Sequence, residues 1–256
     1  MQKIYETARQ PLTIRIKVHA YNIPIQVVVK DADRPNTYYM NRYRTIKGKQ
    51  DFIIRMPQSP NRALVQVFNA KTKDNEGFKI LDSKREDLQT RMSVFDFKNP
   101  LIASFILFAQ DFCDKAGYLS PGVYVSRDGN YTINYLDAIR SQTGVELNTP
   151  ARINSISGII QVSKNCFAKY TVAGRFAILC HEFAHVFANK NIKSEIESDL
   201  HASNIYLGLG YPRIEILNVF TRVFAGADTP LNRKRLALME SYIMNFDNRV
   251  ISMRYN

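Results

Sequence analysis

Two imidazoles four residues apart, His181 and His185, with the carboxylate of Glu182 between them, are the side chains of this sequence best suited to chemistry. On a helix, positions i and i+4 share a face, so both rings can close on one metal ion while Glu182 projects from the flank of the same site. The stretch His181-Glu182-Phe183-Ala184-His185 therefore reads as an HExxH zinc motif, with Zn2+ as the expected cofactor. In a chain of this composition roughly 0.002 such matches arise by chance, so the spacing is informative.

The motif must sit on a helix to work. Thr171 to Cys180 before it and Val186-Phe187-Ala188 after it carry apolar residues at helical spacing without proline, which predicts a buried helix ending near Asn189 to Asn191. Two histidines need a third protein ligand, with a fourth position left for water. Downstream, Ser194-Glu195-Ile196-Glu197 reads as a capping box that opens a second helix running to Gly208 or Gly210. At about 100° per residue, Glu195 and Asp199 share the buried arc with Ala202 and Leu209, whereas Glu197, His201 and Asn204 fall on the polar side. Glu195 is the expected ligand, and Asp199, one turn on, the acceptor that orients a ligating imidazole. The turn between His185 and Glu195 is short, so Asp199 as the ligand stays open.

These residues, His181-Glu182-Phe183-Ala184-His185 followed by Glu195-Ile196-Glu197-Ser198-Asp199-Leu200-His201-Ala202, resemble the HExxH…ExxxD arrangement of gluzincin metallopeptidases over roughly residues 100 to 225. The resemblance is to the small members, where alanine usually stands at the position of Ser198. It implies a zinc-dependent endopeptidase acting on a peptide or protein, with Glu182 as the general base and the ion polarising the scissile carbonyl. It also implies that a strand just upstream of the zinc helix, here Ser157 to Ser163, is an edge strand that pairs with substrate main chain through Gly158, Ile159, Ile160 and Gln161. The stabilising Tyr or His that such enzymes add cannot be placed; Tyr206 reads as packing, His201 faces away, and Tyr211 and Arg213 are open candidates.

Ahead of the motif the chain reads as strands. Thr13 to Ala20 alternates strictly, and similar runs follow at Ile25 to Val29, Tyr38 to Ile46, Phe52 to Met56, Ala63 to Phe68 and Phe78 to Leu81, with turns expected at Asp31 to Asn36, Lys47-Gly48-Lys49, Pro57 to Asn61 and Asn75-Glu76-Gly77. About six strands predict an antiparallel β-sandwich over residues 1–95. Residues 96–256 are then a mainly helical, zincin-like domain with a small sheet, and the fold class is α+β. In that domain Asn99-Pro100 opens a helix to about residue 116, and Val123 to Val125 with Tyr131 to Ile133 form a hairpin. A short helix is expected over Tyr135 to Gln142, another from Pro212 to about Phe224, and a last one from Thr229-Pro230 to about Asn248 with Arg233, Lys234 and Arg235 on its solvated face.

Composition bounds the remaining readings. The amino terminus shows no apolar h-region and the longest apolar run, Leu101 to Ala109, is too short to span a bilayer, so a cytoplasmic chain without a membrane partner is expected. Cys113, Cys166 and Cys180 lack CxxC spacing and read as reduced core residues. The net charge of +12 is concentrated in residues 1–100, which hold 19 Lys and Arg against 10 Asp and Glu. That excess could attract nucleic acid or an acidic protein, but no nucleic-acid motif accompanies it. The sandwich-plus-small-zincin layout, with the tail Ile205 to Arg213, is similar to proteins encoded by tailed bacteriophages. That likeness implies an alternative, a virion-associated docking protein that holds other virion subunits through its basic domain and keeps the zincin fold as a scaffold.

Overall fold

The computed structural model describes residues 1–88, 99–188, 194–225 and 228–246, and the chain divides into two compact units, Met1–Thr90 and Arg91–Asn256. The expected domain boundary at 95/96 and the expected end of the zinc helix at 189–191 lie outside the described residues.

The first unit is one antiparallel sheet of five strands: β1 (Gln2–Glu6), β2 (Leu12–Asp31), β3 (Tyr38–Met56), β4 (Arg62–Asn69) and β5 (Phe78–Asp87). β2 is its spine. β3 runs along one side of it for nearly its whole length; on the other side β5 pairs with Leu12 to Ala20 and β4 with Ile25 to Asp31, and β1 adds beyond β4. The two runs read as separate strands in β2 are one strand with an extra residue. Leu12, Ile14, Ile16, Val18 and Ala20 are buried at even positions, then Ile25, Val27 and Val29 at odd ones, and Asn22, at φ +61°, is skipped in the pairing with β3. A one-residue bulge flips which face each later side chain takes, so the core side is kept only if the apolar parity also flips. Likewise Lys47-Gly48-Lys49 is not a turn but the middle of β3, with Gly48 at φ +79° opposite Ala20. The expected six strands are therefore five, hydrogen-bonded as one antiparallel sheet.

The second unit is mixed. Helix α1 (Pro100–Lys115) starts at Asn99, whose side chain accepts from the Leu101 N–H. A sheet follows from β6 (Gly122–Val125), β7 (Thr132–Leu136), β8 (Ala151–Ile153) and β9 (Ile160–Ser163), in the order β6-β7-β9-β8, with β7 and β9 parallel and the other pairs antiparallel. The helix expected over Tyr135 to Gln142 does not form. Tyr135 belongs to β7, where Ile133 and Tyr135 share the buried face and the Tyr135 hydroxyl donates to the Ala116 carbonyl. Then come the short α2 (Lys164–Phe167), α3 (Val172–Phe183), α4 (Glu195–Gly208), α5 (Arg213–Ala225) and α6 (Pro230–Met244).

α3 forms the centre of this unit. Thr171 caps it, Phe176, Leu179, Cys180 and Phe183 are buried, and Phe183 stacks on Phe105 of α1 at 4.0 Å between centroids. Arg175, 1% exposed, donates to the carbonyls of Phe167 and Cys113 and so ties the start of α3 to its neighbours. All three cysteines are buried and free. Among the described residues no helix is long and apolar enough to cross a membrane.

Candidate metal centre

The motif sits where α3 changes pitch. Residues up to Phe183 are α-helical, and Ala184–Ala188 continue as a π-helical turn, a form frequent at functional sites. His181 and His185 thus straddle the change, and their rings stand nearly perpendicular with the two Nε2 atoms 3.0 Å apart. α4 brings the acids to them. Ser194 caps that helix, and Glu195 in its first turn lies 3.5 Å from His181 Nε2 and 3.6 Å from His185 Nε2.

These separations test the fit of a metal. Ligand atoms about 2.0–2.2 Å from a tetrahedral zinc stand about 3.3–3.6 Å from one another; here the two Nε2 atoms are 3.0 Å apart, Glu195 approaches His181 with Oε2 at 3.5 Å and His185 with Oε1 at 3.6 Å, and one ligand atom from each of the three residues lies within 4.8 Å of the others. Two imidazole nitrogens and a carboxylate oxygen are a suitable donor set for that ion. Of the two carboxylates the sequence leaves open, Glu195 faces both Nε2 atoms, while Asp199 lies 2.9 Å from His181 Nδ1 on the far side of the ring. That approach is close enough for an ion pair but poorly aligned for a hydrogen bond.

Two side chains behind the ligands were not anticipated. Ser198 is fully buried and its hydroxyl lies 3.0 Å from His185 Nδ1, so it can fix the tautomer that turns a lone pair at Nε2 toward His181 and Glu195. Arg235, expected on a solvated face of α6, is only 8% exposed. It grips Asp199 through Nε at 2.8 Å and a terminal nitrogen at 3.1 Å, and the same terminal nitrogen reaches Glu195 at 2.9 Å. Both were findable in principle. Arg235 shares the apolar stripe of α6 with Met239, Tyr242 and Ile243, and Ser198 lies three residues after Glu195 on the buried arc of α4.

Glu182 and β8 complete the cleft, which has a volume of about 620 Å³. Glu182 is 9% exposed and accepts from the Ile153 N–H. Opposite, α5 contributes Val219 and Phe220; Gly174 on α3 lets it come close, since a Cβ there would stand 3.3 Å from Val219 Cγ2. Tyr206 and Tyr211 do not line the cleft; they are buried and stacked on each other, and the Tyr206 hydroxyl donates to the Pro212 carbonyl. Arg213 and His201 are likewise outside it.

The expected substrate strand needs correcting. Gly158 and Ile159 belong to the turn before β9, and Ile160 and Gln161 lie in β9, which is paired on both sides, to β7 and β8. Their main chain is therefore occupied, and none of the four residues lines the cleft. The edge strand beside the cleft is β8. Ser163 N–H donates to Pro150 C=O and Asn154 N–H to Ile159 C=O, which by antiparallel alternation turns the main-chain groups of Ala151 and Ile153 outward. A three-residue strand carries no periodicity to betray it in the sequence.

The charges are strongly coupled. Burial lowers the His181 pKa, but Asp199 and Glu195 outweigh it and raise the value to about 10. His185 is held below its ordinary value by burial and then by the charge of His181. Glu195, hydrogen-bonded to His181, falls to about 2 against the opposing effect of its burial, and Glu182 is raised, chiefly by burial. Binding of zinc here would therefore displace a proton from His181 at neutral pH, where His185 is already neutral and Glu195 ionised. The expected result is release of about one proton per zinc between roughly pH 6.5 and 10, with apparent affinity falling about tenfold for each unit of pH decrease in that window. Calorimetry in buffers of different ionisation enthalpy measures this number, and no proton release at pH 7 would contradict it.

Compared with protein-family models, curated proteins and solved structures, the chain matches none.

Proposed function

We propose that the second unit is a zinc-dependent endopeptidase of the gluzincin type, with a zincin-like fold, in which His181, His185 and Glu195 hold the ion. The observation that carries this reading is the cluster of His181, His185 and Glu195, whose candidate ligand atoms lie within 4.8 Å of one another, beside a buried carboxylate and an open strand edge. Bound zinc supplies Lewis acidity, polarising a carbonyl oxygen and lowering the pKa of water. The chain's own residues do the rest.

An extended peptide laid along β8 would exchange hydrogen bonds with the outward N–H and C=O of Ala151 and donate one of its own N–H groups to Ile153 C=O. Ile153 N–H is already given to Glu182. That bond fixes one end of the substrate strand and the catalytic carboxylate from a single residue. Glu182 takes a proton from the attacking water and later gives it to the departing amine nitrogen, and its raised pKa makes it a stronger base than an exposed glutamate. Asp199 and Ser198 hold the two imidazoles from behind.

Elemental analysis of protein purified without added metal tests the reading. Wild type should hold about one zinc per chain, as a three-ligand site does, and Glu195→Ala should lose most of it. Wild type that folds fully without zinc, or Glu195→Ala that retains it, would end this assignment. Zinc present without hydrolysis of any peptide library would leave a metal-bearing scaffold, the docking protein of the alternative reading.

A further inference from the structure

β3 is a sheet edge along its whole length, from Tyr38 to Met56: it pairs with β2 and, among the described residues, with no other strand. Open edges of this length are hazardous because their unpaired N–H and C=O groups template another strand. The middle of this one is also strongly basic. Arg42-Tyr43-Arg44-Thr45-Ile46-Lys47-Gly48-Lys49 holds four cations and no acid. Across the pairing with β2 these residues meet Val27, Gln26, Ile25, Pro24, Ile23, Tyr21, Ala20 and His19, so no carboxylate of the spine strand faces them. Tyr21 and Tyr43 beside them are 73% and 74% exposed.

The direction of the main chain can be read from its neighbours. Tyr21 N–H donates to Gly77 and Pro24 C=O accepts from Ala70, both on the side away from β3. Their partners across the ladder, Lys47 and Thr45, therefore turn their own N–H and C=O to the open edge. A strand donor and acceptor row thus coincides with a cationic stretch.

We propose that the edge of β3 at residues 42–49 receives an extended, acidic segment of a protein partner as an added strand. Main-chain groups at Thr45 and Lys47 would supply the pairing, and Arg42, Arg44, Lys47 and Lys49 the selection for acidic side chains. A second copy of this chain fits poorly. Self-pairing would bring two stretches of four cations and no acid side by side, and centred on Lys47 it sets that residue against itself; like charges directly opposite are destabilising. The inference is independent of the metal centre.

Fluorescence anisotropy on the full chain with a labelled peptide of Glu-Glu-Thr-Val repeats is the test. Wild type should bind it saturably at low ionic strength and more weakly as salt is raised. Arg44→Glu with Lys47→Glu should weaken binding by more than about tenfold. Thr45→Pro removes one outward N–H without touching the ladder to β2, and should cost about tenfold as well. A peptide of the same sequence N-methylated throughout keeps the charge, loses every donor, and should fail to bind wild type. Equal binding of the methylated and unmodified peptides would reduce the contact to charge alone and overturn the proposal. No binding by wild type would overturn it too, as would tighter binding of a single-stranded oligonucleotide of equal charge, or a wild-type dimer that Thr45→Pro dissolves.

Discussion

Glu182→Gln should keep its zinc and lose hydrolysis by a factor of about 10² to 10⁴, the usual weight of a positioned general base. Gln has nearly the shape of Glu and can still accept from the Ile153 N–H through its amide oxygen, so the wall between β8 and α3 should stand. What it cannot do is take a proton from water. Because Glu182 is not among the three clustered ligands, zinc content should match wild type, and this separates loss of chemistry from loss of metal. The variant should also be no less stable than wild type: Glu182 is buried and its pKa raised, so folding opposes its charge, and a neutral amide removes that opposition. Single-turnover hydrolysis of a peptide library, read beside zinc content and thermal unfolding, checks all three. A variant that retains zinc and still cuts at the wild-type rate would remove Glu182 from the mechanism.

The parts of this site that were legible in the sequence are those whose signal is local. The spacing of His181 and His185 and the caps at Asn99, Ser194 and Thr229 each depend on a few adjacent residues and on helical period, whereas of the two acids expected on the buried arc of α4 only Asp199 is buried and Glu195, in the first turn, is exposed. What stayed hidden depends on pairing over distance. The single extra residue at Asn22 makes one continuous strand look like two, because the apolar parity changes across it. Lys47-Gly48-Lys49 has turn composition, yet its residues pair with Tyr21, Ala20 and His19 of β2 and the segment stays within the strand. The strand that borders the cleft, β8, is three residues long, while the more regular run Ile160 to Ser163 that resembled an edge is enclosed by β7 and β8. The π-turn at Ala184–Ala188 has no compositional mark at all.

Arg235 shows how a charged residue can be misread by its neighbours. Next to Arg233 and Lys234 it looks like part of a solvated run, but its guanidinium is what balances Glu195 and Asp199 beside the two histidines. Arg235→Ala should destabilise the fold by about 3–5 kcal/mol, because it leaves the fully buried Asp199 without the partner that binds both its oxygens. Arg235→Lys should recover only part of this, since an ammonium is a point charge and three carboxylate oxygens are spread across two residues. The cause can be separated from lost packing by a second change. If the cost is the stranded charge, Asp199→Asn introduced into Arg235→Ala should be far less damaging than in the wild-type background, giving a coupling of about 1–3 kcal/mol. Denaturant unfolding of the four proteins in the presence of a chelator measures that coupling without any contribution from bound zinc. Additive losses would mean that Arg235 acts on the fold through its aliphatic stem, and that Glu195 and Asp199 are held in place by something other than its charge.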